Sequence, residues 1–234
     1  MSDAEQGRAS KGPIISLEKV RKSFFRGKEQ LDVLAGLDLT IEEGSFEALM
    51  GPSGSGKSTL LNLIAGLDQP TSGKLVVAGA DIGAMNEAQR ANWRASNIGF
   101  VFQTYNLMPV LTAIENVELP LLLAKLSSSE RRKRAEIALR AVGLADRGGH
   151  LPSQLSGGQE QRVTIARAIV TDPKIIVADE PTGDLDRASA DEILKLLEKL
   201  NTEFNKTIVM VTHDPAAAER AKVVHRLDKG VLAA

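Results

Sequence analysis

Cysteine is absent from the 234 residues, so nothing in the chain calls for an oxidising compartment, a thiolate metal site or a cysteine nucleophile. No apolar run approaches the ~18 residues needed to cross a bilayer. The polar stretch Met1 to Gly12 lacks the apolar centre of a signal peptide, so any membrane connection is expected to run through a partner. Aromatic residues make up only 3% of the chain, too few for a platform on which bases could stack. Lys and Arg number 29 against 30 Asp and Glu, and the net charge of -1 supplies no global field for a polyanion. No nucleic-acid partner is expected, and no internal repeat is visible.

What is present fits a folded chain: 43% apolar and 25% charged residues lie near the globular average. The length suits one large α/β domain or a core carrying an inserted subdomain.

The chain is organised around Gly51-Pro52-Ser53-Gly54-Ser55-Gly56-Lys57-Ser58-Thr59, set between the apolar run Phe46 to Met50 and the helix-like run Leu60 to Ala65. The spacing G-x-x-x-x-G-K-[ST] between a strand and a helix is that of a loop that cradles nucleotide phosphates. Glycines at 51, 54 and 56 let the backbone wrap a phosphate chain and turn successive N–H groups inward. The same groups open a helix whose positive dipole end favours an anion. Lys57 can reach the β- and γ-phosphate oxygens, and the Ser58 hydroxyl can ligate Mg²⁺.

Ser2 to Gly12 reads as a flexible leader, taken as residues 1–13, with order beginning near Ile14. From there to about Val77 apolar residues alternate, as in Leu37, Leu39 and Ile41, which predicts an antiparallel β-rich layer laced through the nucleotide core. Ile98 to Phe102 is a short apolar run that stops at Gln103. The segment 104–160, punctuated by Pro109 and Pro120, reads as a helical insertion, leaving 14–103 and 161–234 as core plus β-subdomain. Within it, Ser127 to Glu130 offers a capping box. Arg131 to Arg134 reads first as a solvated helix face, and second as a contact for acidic groups.

Leu155-Ser156-Gly157-Gly158-Gln159 precedes a helical pattern with Val163, Ala166, Ile169 and Val170 on one face. Ser156 and Gln159 have capping-box spacing, and the glycines at 157 and 158 leave a second helix start able to bind an anion. Ile175 to Ala178 and Ile208 to Thr212 read as buried parallel strands that end in Asp179-Glu180 and His213-Asp214. Lys57, Gln103, Asp179, Glu180 and His213 therefore all lie just beyond the carboxyl ends of strands, where ligands bind in open α/β sheets. Ser58 and Asp179 suit a Mg²⁺ ion that bridges phosphates. Glu180 would then turn toward the water in line with the γ-phosphate, and His213 could orient that water. The plainer reading of His213 is a residue that ends a strand. Gly183 to Asp186 leads into a helix bearing Ile193, Leu194, Leu197 and Leu200 on one face; Val223 to Leu232 is a short β or tail element with no assigned place.

GPSGSGKST, Gln103, LSGGQ, IIVADE, the GDLD stretch at 183–186 and His213 together resemble the ordered motif set of the ATP-binding-cassette (ABC) ATPases, over roughly Ile14 to Leu232. The resemblance implies a P-loop NTPase core with an antiparallel β subdomain and an inserted α-helical subdomain. It implies ATP and Mg²⁺ as cofactors, with Gln103 joining Ser58 and Asp179 at the metal, and Asp186 and Gln159 at the nucleotide. It further implies a head-to-tail homodimer in which the glycine loop of one protomer and LSGGQ of the other enclose each ATP. From spacing alone the two anion sites could grip one ATP or serve two. An integral-membrane permease is implied as partner, docking near the Gln103 loop and the helical insertion, where Leu107, Met108 and Leu111 read as exposed apolar residues, with a periplasmic or membrane-fusion adaptor reached through it. The implied place is peripheral, on the cytoplasmic face of the inner membrane. The best match to the aromatic that stacks on adenine is Phe24, with Phe25 as a rival.

Asn116 to Pro120 and Glu180 to Gly183 look similar to the lipoprotein-release and macrolide-export subfamily. Two other function classes compete, the first of which shares every motif here. One is a mechanical module that regulates a membrane partner without transport. The other, a DNA-repair ABC ATPase, is disfavoured by the lack of a long coiled-coil insertion or a zinc-binding cysteine set.

Overall fold

A computed structural model describes residues 13–27 and 29–233. The expected flexible leader, apart from Pro13, lies outside the described residues.

Two long strands open the fold, β1 (Pro13–Arg26) and β2 (Glu29–Glu42), antiparallel and interrupted by register shifts. With β4 (Ser72–Val77) and β5 (Ala80–Asp81) they form a four-stranded antiparallel sheet in the order β2-β1-β4-β5, which is the expected β layer. Its inward side chains, among them Ile15, Leu17, Leu37, Leu39 and Leu75, are buried and alternate with exposed neighbours as a sheet with one wet face requires.

The second sheet holds the site. Its strands are β3 (Phe46–Met50), β6 (Ile98–Val101), β7 (Ile175–Asp179), β8 (Thr207–Val211), β9 (Val223–Asp228) and β10 (Val231–Leu232), in the order β10-β9-β3-β8-β7-β6. Pairs β9·β3, β3·β8, β8·β7 and β7·β6 are parallel. β7 and β8 are buried almost throughout, which is why they read as unbroken apolar runs. Each fully buried Val or Ile there contributes about 1.5–3 kcal/mol over its exposed state.

β9 and β10 were the elements without a place in the sequence. β9 pairs with β3, the strand that feeds the glycine loop: Leu49 lies opposite His225 and Met50 opposite Arg226. His225, Arg226 and Asp228 interrupt its apolar residues and only Leu227 is buried, so it lacks the unbroken apolar signature of its neighbours.

The helices are α1 (Lys57–Ile64), α2 (Glu87–Asn97), α3 (Ala113–Glu118), α4 (Ser128–Ala141), α5 (Gly157–Ile169), α6 (Arg187–Phe204) and α7 (Pro215–Ala218). α3 to α5 and two 3₁₀ turns make up the helical region expected between the strands. α5 runs unbroken across position 160, so the inserted helices and the core share one element. Ser127 caps α4 in the expected box with Glu130. Boxes at Asn86/Gln89 and Thr112/Glu115 also open helices, with the same spacing in the sequence, where they were passed over. Ile193, Leu194, Leu197 and Leu200 bury one face of α6 against the sheet.

Candidate nucleotide site

β3 ends at Met50, and the chain turns through residues 51–56 before α1 begins at Lys57. The turn is tight because Gly51 (φ 154) lies against β9: a Cβ there would stand 2.0 Å from the Leu227 carbonyl oxygen. The Gly230 N–H donates to the Ser55 carbonyl at 3.1 Å, so the C-terminal strands buttress the loop from behind. Gly56, at φ 103, is the N-cap of α1, and no side chain caps the helix. Lys57 is buried, and its Nζ donates to the Gly51 and Pro52 carbonyls, both at 2.9 Å.

A cleft of about 520 Å³ opens over this loop. Leu31, Val33, Ser53, Lys57, Ser58, Glu180 and His213 are among its walls. Leu31 sits directly across the β1·β2 ladder from Phe24, whereas Phe25 faces Gln30. Residues opposite one another project to the same face. Phe24 also receives the Lys22 ammonium over its ring, 4.9 Å from the centroid.

The strand ends converge as the sequence expects. Ser58 Oγ lies 3.4 Å from Asp179 Oδ1 at the end of β7, an oxygen pair suited to a hard divalent cation that takes its other ligands from phosphate and water. Burial raises the Asp179 pKa, with Glu180 raising it further while the Ser58 hydroxyl and Lys57 lower it; a bound cation would supply the missing compensation. Glu180 occupies the left-handed region at φ 46, a conformation that costs a non-glycine residue about 1–3 kcal/mol and is held here by Glu180 N–H donating to Val211 O at 2.9 Å. Its Oε2 lies 2.7 Å from His213 Nδ1. The structure thus brings the two as a pair, an arrangement that separate strand ends in the sequence do not disclose.

Gln103 stands at the end of β6, its Nε2 donating to Asp184 Oδ1 at 3.2 Å. Ser156 caps α5: its hydroxyl accepts from Gln159 N–H at 3.3 Å, and Gln159 Oε1 accepts from Ser156 N–H at 3.0 Å. Gly157 and Gly158 form the first turn, and neither Ser156 nor its glycines line the cleft over the glycine loop. Asp186 caps α6, accepting from the Ala188 and Ser189 N–H groups at 3.0 Å and from the Ser189 hydroxyl, so its carboxylate organises the loop after Glu180. The residues that the sequence did not single out are Leu31 and Val33 in the cleft wall and the β9–β10 support. Nothing in their local spacing separates them from ordinary strand residues.

An uncapped glycine-loop helix beside a parallel sheet, with a Ser/Asp oxygen pair and a carboxylate at the strand ends, defines a P-loop nucleoside-triphosphatase cassette. Residues 34–183 match the ABC transporter family, and the chain belongs to that family as one of its ATP-binding, ATP-hydrolysing subunits. It is 50% identical over 208 residues, 89% of this chain and 90% of the relative, to the uncharacterized ABC transporter ATP-binding protein YvrO of Bacillus subtilis (strain 168). It is 47% identical to the lipoprotein-releasing system ATP-binding protein LolD of Legionella pneumophila (strain Paris), covering 94% of this chain and 96% of that one. The macrolide export ATP-binding/permease protein MacB of Marinobacter nauticus is also 47% identical over 94% of this chain, which spans 34% of that longer protein. Among solved structures, the dimeric post-hydrolysis state of the ATP-binding cassette MJ0796 bound to ADP and Pi superposes with a TM-score of 0.86 at 44% identity, covering 94% and 97% of the two chains.

Proposed function

We propose that the chain hydrolyses MgATP in a head-to-tail homodimer that drives a separate membrane permease of the lipoprotein-release or macrolide-export kind. The observation that carries this reading is the convergence of Lys57, Ser58 and the Glu180/His213 pair on one cleft above an uncapped helix N-terminus, with Asp179 behind Ser58 at 3.4 Å. The glycine-loop N–H groups from Gly51 to Thr59, with Ser53, Gly54 and Ser55 in the turn, bind the phosphates, and Lys57 exchanges its carbonyl partners for phosphate oxygens. Ser58 and Asp179 would hold Mg²⁺, with Gln103 nearby, and a bound ion would supply neutralising charge for the γ-phosphate. Glu180 accepts the proton of the attacking water, while His213 holds the carboxylate in place and faces the γ-phosphate. Phe24 stacks on the base, since it shares its face with Leu31 of the cleft wall and Phe25 does not.

Ser156, Gly157, Gly158 and Gln159 close over the nucleotide of the partner protomer, a reading supported by the dimeric cassettes among the similar structures. No helix among the described residues is long and apolar enough to cross a membrane. The permease therefore supplies the attachment, and the protein works peripherally at the cytoplasmic face, with any adaptor reached through the permease. A groove of about 420 Å³ lined by Leu67, Phe100, Phe102, Pro120 and Leu123 is the dock. Leu123, Val110, Leu122 and Met108 are exposed around this region. Of the apolar residues that the sequence marks there, Leu107 packs on the core and Leu111 is half-buried, which leaves Met108 as the exposed one.

Glu180→Gln tests the catalytic half: turnover should fall by ~10²–10⁴-fold with ATP binding intact, and an ATP-bound dimer should accumulate. Near wild-type hydrolysis would sink the role of Glu180. The dimer arrangement is read with Ser53→Cys and Ser156→Cys together in that background, both sites being exposed in a chain without native cysteine. A short bismaleimide should give a covalent dimer that requires ATP and both cysteines; an intramolecular link would refute the shared site.

A further inference from the structure

Gln161, on α5, is fully buried and belongs to none of the roles described so far. Its Nε2 donates to the Pro181 carbonyl at 2.7 Å and to the Phe102 carbonyl at 3.2 Å. Both partners can only accept, which fixes the NH₂ end of the amide toward them. Each acceptor is the chain neighbour of a site residue: Phe102 precedes Gln103, and Pro181 follows Glu180. Gln161 Oε1 is buried and has no partner among the described residues.

A buried amide with its oxygen unused is a poor choice for stability, because an apolar side chain of the same length would avoid the desolvation cost. What the glutamine supplies, and an apolar residue does not, is a two-pronged donor spanning two strand ends. Glu180 needs such support, since its left-handed backbone persists only where its surroundings hold it. On one side its N–H is tied to Val211 of β8; on the other, the next carbonyl along the chain is tied to Gln161.

We infer that Gln161 is a positioning residue for hydrolysis, setting the spacing between the Gln103 loop and Glu180 and tying both to the helix that Ser156 opens. The inference rests on the roles given above to Glu180 and Gln103. The loop itself does not depend on Gln161. Thr164 Oγ1 donates to Tyr105 O at 3.1 Å, and Arg167 donates to Tyr105 O at 2.9 Å and Asn106 O at 2.7 Å. Losing the amide therefore shifts the loop against Glu180 without releasing it.

The test uses the purified full chain and Gln161→Met, which keeps the length and removes both donors. The expected result is a kcat lowered between about tenfold and a hundredfold, the size of a misplacement near one ångström, with ATP affinity changed by less than about threefold. In the Glu180→Gln background the same substitution should lower the residual rate by less than about threefold, because Gln161 acts through Glu180; a merely structural role would cost the same factor in both backgrounds. Gln161→Glu is the second variant, and the decisive one should the methionine variant fail to fold. A protonated carboxyl can donate to one of the carbonyls and an ionised one cannot, so its rate relative to wild type should rise as pH falls. A kcat within about twofold of wild type, or equal losses with and without Glu180, overturns the inference. If Glu180→Gln alone hydrolyses normally, the assignment of the base has failed and the inference falls with it; a normal Glu180→Gln defect with no Gln161 defect is the failure of Gln161 alone.

Discussion

Two glycine-rich helix starts are this molecule's proposed anion sites, and they are built differently. α1 begins at Gly56 with no side-chain cap and no acidic residue in its first turn. α5 begins at Ser156, whose hydroxyl and Gln159 satisfy each other's backbone donors, and has Glu160 in its first turn. An uncapped start leaves its N–H groups and its dipole for a ligand. A capped one has already used part of that capacity, and the nearby carboxylate opposes an anion. The difference teaches how the proposed roles divide: the uncapped loop keeps its donors free to hold phosphate alone, whereas the capped α5 start needs no ligand for its own stability and fits a site to which a nucleotide held elsewhere is brought.

The largest effect that can break this comparison is at Lys57. Lys57→Ala removes a buried ammonium beside the loop and should weaken ATP binding by the isolated chain about 10²-fold, measured by equilibrium titration. Retained affinity would mean that the α1 start is not the primary site.

Gly51→Ala comes next. The added methyl would meet main chain of β9, which cannot rotate away, so a loss of about 3–5 kcal/mol in stability is expected by denaturant titration, with nucleotide binding failing in parallel. A loss under about 1 kcal/mol would mean that the C-terminal strands yield and are no buttress.

Ser156→Ala sharpens the other half. Loss of the cap should cost about 1 kcal/mol of stability and weaken ATP-dependent dimerisation in the Glu180→Gln background, while leaving nucleotide affinity of the monomer unchanged. A matching loss of monomer affinity would place both anion sites on one ATP within one chain.

The smallest effects concern pH, and the two acidic residues around the site have opposite signs. Burial raises the Asp179 pKa, so the folded chain holds that proton longer than the unfolded one, and stability is lost as pH rises past the ordinary value of 3.8. Asp179→Asn should therefore raise the melting temperature at neutral pH, with the gain vanishing near pH 3, while Mg²⁺-dependent hydrolysis is lost. Asp186 is held below its ordinary range, chiefly by the Ser189 hydroxyl and then the Ser189 N–H, so its stabilisation is present above 3.8 and disappears as pH falls through its folded pKa. Asp186→Asn should lower the melting temperature slightly at neutral pH and not at all at low pH. Melting curves at both pH values check each sign.

The sequence by itself determined the pieces whose physics is local. The glycine loop, the capping boxes at Ser127 and Ser156, and the buried strands ending at Asp179 and Val211 are each specified by residues a few positions apart, so spacing alone disclosed them. It also put Lys57, Gln103, Asp179, Glu180 and His213 at strand ends, because a parallel sheet collects its carboxyl ends on one edge. Tertiary structure alone decided what depends on distant segments meeting. β9, whose apolar residues are interrupted by His225, Arg226 and Asp228, has no core-strand pattern of its own and takes its place by pairing with β3. The proposed preference for Phe24 over Phe25 rests on a register broken by shifts, where one residue of slip exchanges the faces. The Glu180/His213 pair and the Gln161 bridge join residues from different elements through side-chain and carbonyl geometry that no periodicity encodes.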